Sequence, residues 1–137
     1  MDELEILEDL PEIHAGFPSP SQDYMKGVID LNKELVHHPA ATFYGRVVGD
    51  SMVDAGVFEG DVLIIDKALE PVEGDLCVSY VDGEFALKRL SLKSPSGSDE
   101  KGVWLLPANP KYKPIRVEEG NDFLIWGVVT YIIKRMR

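Results

Sequence analysis

A serine and a lysine at a defined spacing carry the most chemistry in this chain. Ser51 lies in Gly49-Asp50-Ser51-Met52, and Lys88 follows 37 positions later in the run Glu84-Phe85-Ala86-Leu87-Lys88-Arg89-Leu90. A serine hydroxyl attacks a carbonyl only when a neighbouring base takes its proton. Histidine usually does this, but His14, His37 and His38 are the only histidines and none has a nucleophile-like context. A lysine can serve if its amine is neutral, which requires its pKa to fall from about 10.4 by roughly three units, about 4 kcal/mol. Burial among apolar groups, or nearby positive charge, supplies such a shift.

The elements around the pair suit that chemistry. Strand alternation puts Ala86, Lys88 and Leu90 on one face and Arg89 on the other, so Lys88 is expected to point inward. A strand lysine can instead snorkel to solvent, and Gly-Asp-Ser can simply close a turn. A turn directly after an expected strand at 43–48 would expose the Ser51 hydroxyl. It would also align the backbone amides of Ser51 and Asp50 as candidate oxyanion donors. A small pair, Ala15-Gly16, lies 35 residues upstream of the serine in an acidic arm and is a candidate substrate bond.

The 137 residues suffice for one domain with its own core, and hydrophobic residues make up 45% of them. Cys77 is the single cysteine, which excludes an internal disulfide framework and suits a reducing cytoplasm. The acidic start Met1-Asp2-Glu3-Leu4-Glu5 is unlike a secretory signal. Apolar stretches such as 124–133 are too short to cross a bilayer, so a soluble cytoplasmic protein without membrane contact is expected. A net charge of −10 argues against nucleic-acid binding. The basic end Lys134-Arg135-Met136-Arg137 is expected to be a solvated terminus.

Two regions are expected: a flexible arm over 1–22 carrying the substrate bond, and a folded body over 23–137. In the arm, Leu4, Leu7 and Leu10 could line a short helix that Pro11 stops, and Phe17-Pro18-Ser19-Pro20-Ser21 breaks regular structure. From Ser21 to Val36 a helix is predicted, capped by Ser21, with Tyr24, Val28, Leu31 and Leu35 on one face. His37-His38 has no third ligand nearby and reads as ordinary polar residues rather than a metal site. Beyond residue 40 the pattern is β, with short runs at 43–48, 61–66, 75–81, 84–90, 103–106 and 124–133. Asp82-Gly83 signals a type I′ hairpin, and 93–102 reads as a polar surface loop. The fold class is mainly β, with strongly bent, short-stranded sheets.

These residues resemble the LexA/UmuD-type family of self-cleaving Ser/Lys proteases. The resemblance runs through Ala15-Gly16-Phe17-Pro18-Ser19-Pro20, Ile29-Asp30-Leu31-Asn32, Gly49-Asp50-Ser51-Met52, the stretch from Glu59 to Asp66, Val81-Asp82-Gly83-Glu84-Phe85 with Lys88, and Gly127-Val128-Val129. The spacings from small pair to serine and from serine to lysine also fit. The resemblance implies a compact fold like the LexA C-terminal domain. It makes Ser51 the nucleophile, Lys88 its general base and the Ala15-Gly16 bond the target. It further implies that a RecA filament triggers cleavage in the SOS response. Residues 16–137 would then form a homodimer serving a Y-family, UmuC-like translesion polymerase, with the replicative sliding clamp as a further contact. LexA relatives carry a DNA-binding domain before the cleavage site, whereas 15 residues precede it here, so a repressor is not expected. No cofactor or metal is implied. The competing expectation is a dimeric polymerase-interaction module in which these residues do no chemistry.

Overall fold

The computed structural model describes residues 13–16, 29–50, 52–118 and 123–137. Expectations for the arm helix, for 17–28 including the Ser21 cap, and for Ser51 lie outside the described residues. The chain divides into a unit of residues 1–37 and a unit of residues 38–137.

In the first unit, residues 13–16 are exposed, with a bend at Ala15 and Gly16. Helix α1 covers Leu31–Leu35 only. Asp30 is its N-cap, in extended conformation, and its carboxylate accepts from the Lys33 amide at 3.3 Å. The expected helix therefore does not run through 29–30, and Leu31 is exposed rather than on a buried face. An Asx cap competes with helix continuation, because the side chain supplies the acceptor that a preceding turn would otherwise provide.

The second unit is built on one antiparallel sheet. Its strands are β1 (Thr42–Arg46), β2 (Val62–Asp66), β3 (Leu76–Val81), β4 (Glu84–Lys93), β5 (Lys101–Leu106), β6 (Ile115–Arg116) and β7 (Phe123–Ile133). Their order is β1-β2-β7-β3-β4-β5-β6. The Val/Ile/Leu-rich runs form strands because branched side chains pack well on a pleated surface. Cys77, Leu90, Leu105 and Val128 form the buried core. Asp82 and Gly83 take φ of 47° and 92°, the positive values that a type I′ turn needs, and β3 and β4 pair directly across it from Val81 and Glu84.

Beyond shifts of one residue, boundaries differ from the sequence reading in four places, one being the start of β5 at Lys101 rather than 103. β1 stops at Arg46. β4 continues to Lys93 and pairs there with Lys101, so the loop shrinks to 94–100. The extension is fixed by Glu73, whose carboxylate accepts from Ser91 Oγ at 3.0 Å and the Leu92 amide at 2.5 Å. The two-residue strand β6 was not anticipated, being too short to show a period.

Bulges at Ile64/Ile65 and Val78/Ser79, where β2 and β3 meet β7, sharpen the twist of the sheet. It curls until the turn after β1, first in the order, hydrogen-bonds the segment after β5, sixth in the order: Asp54 N donates to Ala108 O at 2.7 Å. Gly127 makes the tight β2–β7 approach possible, since a Cβ there would lie 2.5 Å from Ile65 Cγ2.

Polar side chains clip the ends. His38 Nδ1 lies 2.6 Å from buried Asp66 Oδ2, while Asp66 Oδ1 accepts from the Ala68 amide. The terminal residues 134–137 are exposed, as expected, and Lys134 also donates to Asp61 and packs over the Phe58 ring. No helix among the described residues is long and apolar enough to cross a membrane.

Candidate active site

A bend at Gly49 and Asp50 follows the end of β1. Val47 N donates to Asp61 O at 2.8 Å and Gly60 N to Val47 O at 2.9 Å, which extends the β1–β2 pairing to the brink of the turn. Gly49 then takes φ of 92°, a left-handed value that a Cβ would oppose, and the chain reverses. After the turn Met52 is buried at 2% exposure and its carbonyl accepts from the Ala55 and Val57 amides. One side of the turn is thus tied to strand backbone and the other is plugged into the interior.

Asp50 is held by three side chains from one segment between β5 and β6. Asn109 Nδ2 donates to its carbonyl at 2.7 Å, Tyr112 hydroxyl to Oδ1 at 2.6 Å, and Lys111 Nζ to Oδ2 at 3.5 Å. Asn109 also shapes its own segment, its side-chain oxygen accepting from Lys111 N at 3.0 Å and its carbonyl from Tyr112 N at 3.0 Å. The Tyr112 hydrogen bond holds the Asp50 carboxyl below its ordinary range, against partial desolvation, and Lys111 adds to the effect. The same hydrogen bond, with Asp50's charge, raises the Tyr112 phenol.

Lys88 lies in the middle of β4, opposite Cys77 of β3, and is 9% exposed. Its inward direction agrees with the alternation: Leu90 on the same face is in the core, while Arg89 turns away and donates to Gly74 O at 2.6 Å. Desolvation lowers the Lys88 pKa. Among the described residues no ion pair involves Lys88. Its Nζ stands 5.6 Å from the centroid of the Tyr112 ring. Asp50 and Lys88, far apart in sequence, thus meet at one tyrosine.

An apolar cleft adjoins the turn. A cavity of about 200 Å³ at Gly49 and Met52 shares Val47, Val48, Phe85, Ala86 and Leu87 with a second of about 370 Å³ that reaches Trp126. The two lie between β1 and β4, with Leu63 and Ile65 of β2, Val78 of β3 and Trp126 of β7 completing a largely apolar lining.

The structure links Asp50 to the Lys88 strand through Tyr112; Ser51 itself, and its amide as an oxyanion donor, lie outside the described residues. Ala15 and Gly16 are described within the first unit. Sequence reasoning did not single out Asn109, Lys111 or Tyr112. The available signal was Pro107-Ala108-Asn109-Pro110-Lys111-Tyr112-Lys113-Pro114, a proline-rich segment of turn formers enclosing one aromatic.

Comparison with known proteins gives a consistent picture. The profile of Peptidase S24-like proteins matches residues 6–130. Protein SamA of Salmonella typhimurium is 44% identical over 123 residues, covering 90% of this chain and 81% of that protein. Protein ImpA of Escherichia coli is 40% identical, covering 90% and 79%. Protein MucA of Escherichia coli is 38% identical, covering 89% and 80%.

Proposed function

This chain belongs to the Peptidase S24-like family as a relative of the UmuD-like proteins, and on that footing we propose that it is a self-cleaving Ser/Lys protease whose dyad is Ser51 and Lys88. The family supports a self-cleaving serine protease of the SOS response. The observation that carries the dyad is Lys88: a desolvated amine with no carboxylate partner among the described residues, facing the tyrosine that grips the residue before Ser51.

In the proposed reaction the neutral Lys88 amine takes the Ser51 hydroxyl proton as Oγ bonds to the Ala15 carbonyl carbon. The developing oxyanion is received by the amides of Ser51 and Asp50. Collapse breaks the Ala15–Gly16 bond, and the Lys88 ammonium returns its proton to the leaving Gly16 nitrogen. Lys88 then deprotonates a water that bonds to the Ala15 carbonyl carbon; collapse breaks the ester bond to Ser51, Oγ takes the proton back from Lys88, and the Ala15 carboxyl is released. The cleft beside Gly49 would hold the small scissile pair. A RecA filament would stimulate the cut, and product 16–137 would act as a homodimer with a Y-family, UmuC-like error-prone polymerase and the sliding clamp.

A binding role without cleavage is the alternative, favoured by exposed large hydrophobic side chains such as Tyr44, Phe85 and Leu124. Incubating the purified chain at alkaline pH and weighing the products separates the two. Fragments 1–15 and 16–137 are expected from the wild type and neither from Ser51→Ala or Lys88→Ala. If either variant is cut as fast as wild type, the dyad is rejected.

A further inference from the structure

Tyr112 contacts the site at both ends of its side chain. Its hydroxyl donates to Asp50 Oδ1 at 2.6 Å, and its ring faces Lys88 Nζ at 5.6 Å. Asp50 brings a carboxylate to the residue beside the proposed nucleophile. A carboxylate paired with Lys88 would favour the ammonium form and remove the base. In the structure the Asp50 carboxylate is otherwise engaged, by the Tyr112 hydroxyl on one oxygen and Lys111 Nζ on the other.

We propose that Tyr112 is a positioning residue: by tying the Asp50 carboxylate to its own hydroxyl it keeps that charge from pairing with Lys88 and leaves Lys88 able to give up its proton. Asp50 and Lys111 are the charged groups that share Tyr112 with Lys88. On β3 the group opposite is the Cys77 thiol, which burial keeps neutral, and Asp75 beyond it accepts from the Val72 amide. On β4 itself Arg89 is directed to the Gly74 carbonyl. On the β5 side Leu106, opposite Arg89, has no titratable group. Asp50 is therefore the carboxylate that loss of the Tyr112 hydroxyl would release from its shortest tie, leaving only Lys111 Nζ, at 3.5 Å, on its carboxylate. The ring stays in Tyr112→Phe, so that variant isolates the hydroxyl from the cation–π contact.

The inference rests on the dyad reading, and two measurements keep their failures apart. The first is the pH dependence of self-cleavage in the full chain for wild type, Tyr112→Phe, Asp50→Asn and the double variant. Tyr112→Phe is expected to move the midpoint upward by about one unit, and Asp50→Asn in the same chain to bring it back. A rate lowered evenly at every pH with an unmoved midpoint, or a shift that Asp50→Asn does not reverse, overturns the proposal. The second is the titration of the Lys88 side chain by NMR in the Ser51→Ala chain, with and without Tyr112→Phe. It needs no cleavage, so it decides the point even if the dyad reading fails. An unchanged Lys88 titration in a folded Tyr112→Phe chain also overturns it. Thermal unfolding of each variant shows whether it is folded.

Discussion

Lys88 stands directly across the β3–β4 ladder from Cys77, so the amine of the proposed dyad shares its buried face with the only thiol of the chain. Both groups are desolvated, and desolvation acts on them in opposite senses. It favours the neutral amine by lowering its pKa and the neutral thiol by raising its pKa. Each consequence is open to measurement.

Cys77 should be chemically silent in the folded protein. It is fully buried, and burial, with Asp75's charge adding to it, pushes the thiol up to about 11. Thiolate is the reactive form. Alkylation with iodoacetamide at pH 8, followed by intact mass, should leave the native chain unmodified and label it fully in denaturant. Rapid native labelling would contradict this burial.

Lys88 should cost stability at neutral pH. Its folded-state pKa is depressed, so between that value and the unfolded value of about 10.4 the unfolded chain binds more protons and stability rises with pH. Below the folded-state value the penalty is fully present. Lys88→Met should therefore raise stability at pH 7 by about 1 kcal/mol, roughly 4 °C in Tm. The advantage should shrink as pH approaches 10.4. Thermal unfolding of both chains across that range tests sign and trend together.

If Lys88 is the general base, self-cleavage should accelerate with pH about tenfold per unit below a midpoint that lies under the ordinary lysine value of about 10.4. Initial rates of fragment formation across neutral to alkaline pH give this directly. A profile that levels off near pH 6.5 would instead implicate a histidine.

Gly127→Ala should destabilise the fold by about 1–3 kcal/mol, because the new methyl meets Ile65 Cγ2 in a strand pair that is already close-packed. Adding Ile65→Leu removes that branch and should recover part of the loss. Urea unfolding of the single and double variants measures the coupling. Simple additivity would show that the contact is not the cause.

Much of the ladder was legible in the sequence. The runs that became β2, β3, β4 and β7 are dense in Val, Ile and Leu because they are buried by neighbouring strands, and the Asp82-Gly83 turn was readable because few dipeptides accept two positive φ values. The inward Lys88 followed from alternation with Leu90. Illegible were the features fixed by single distant partners. The reach of β4 to Lys93 depends on Glu73, 18 residues from Ser91, and the engagement of Lys134 depends on Asp61, 73 residues away. Neither leaves a local pattern.

By itself the sequence determined the β-rich body, the hairpin, the inward lysine and the family to which the chain belongs, because these depend on local periodicity, turn chemistry and the motifs around Ser51 and Lys88. Only the tertiary structure decided what surrounds Lys88 and what grips Asp50. Asn109, Lys111 and Tyr112 are 59 to 62 residues from Asp50. They reach it because two bulges and the close approach at Gly127 curl the sheet until its first strand's turn meets the segment beyond its sixth. Curvature is a property of strand pairs and their register, and no run of residues records it.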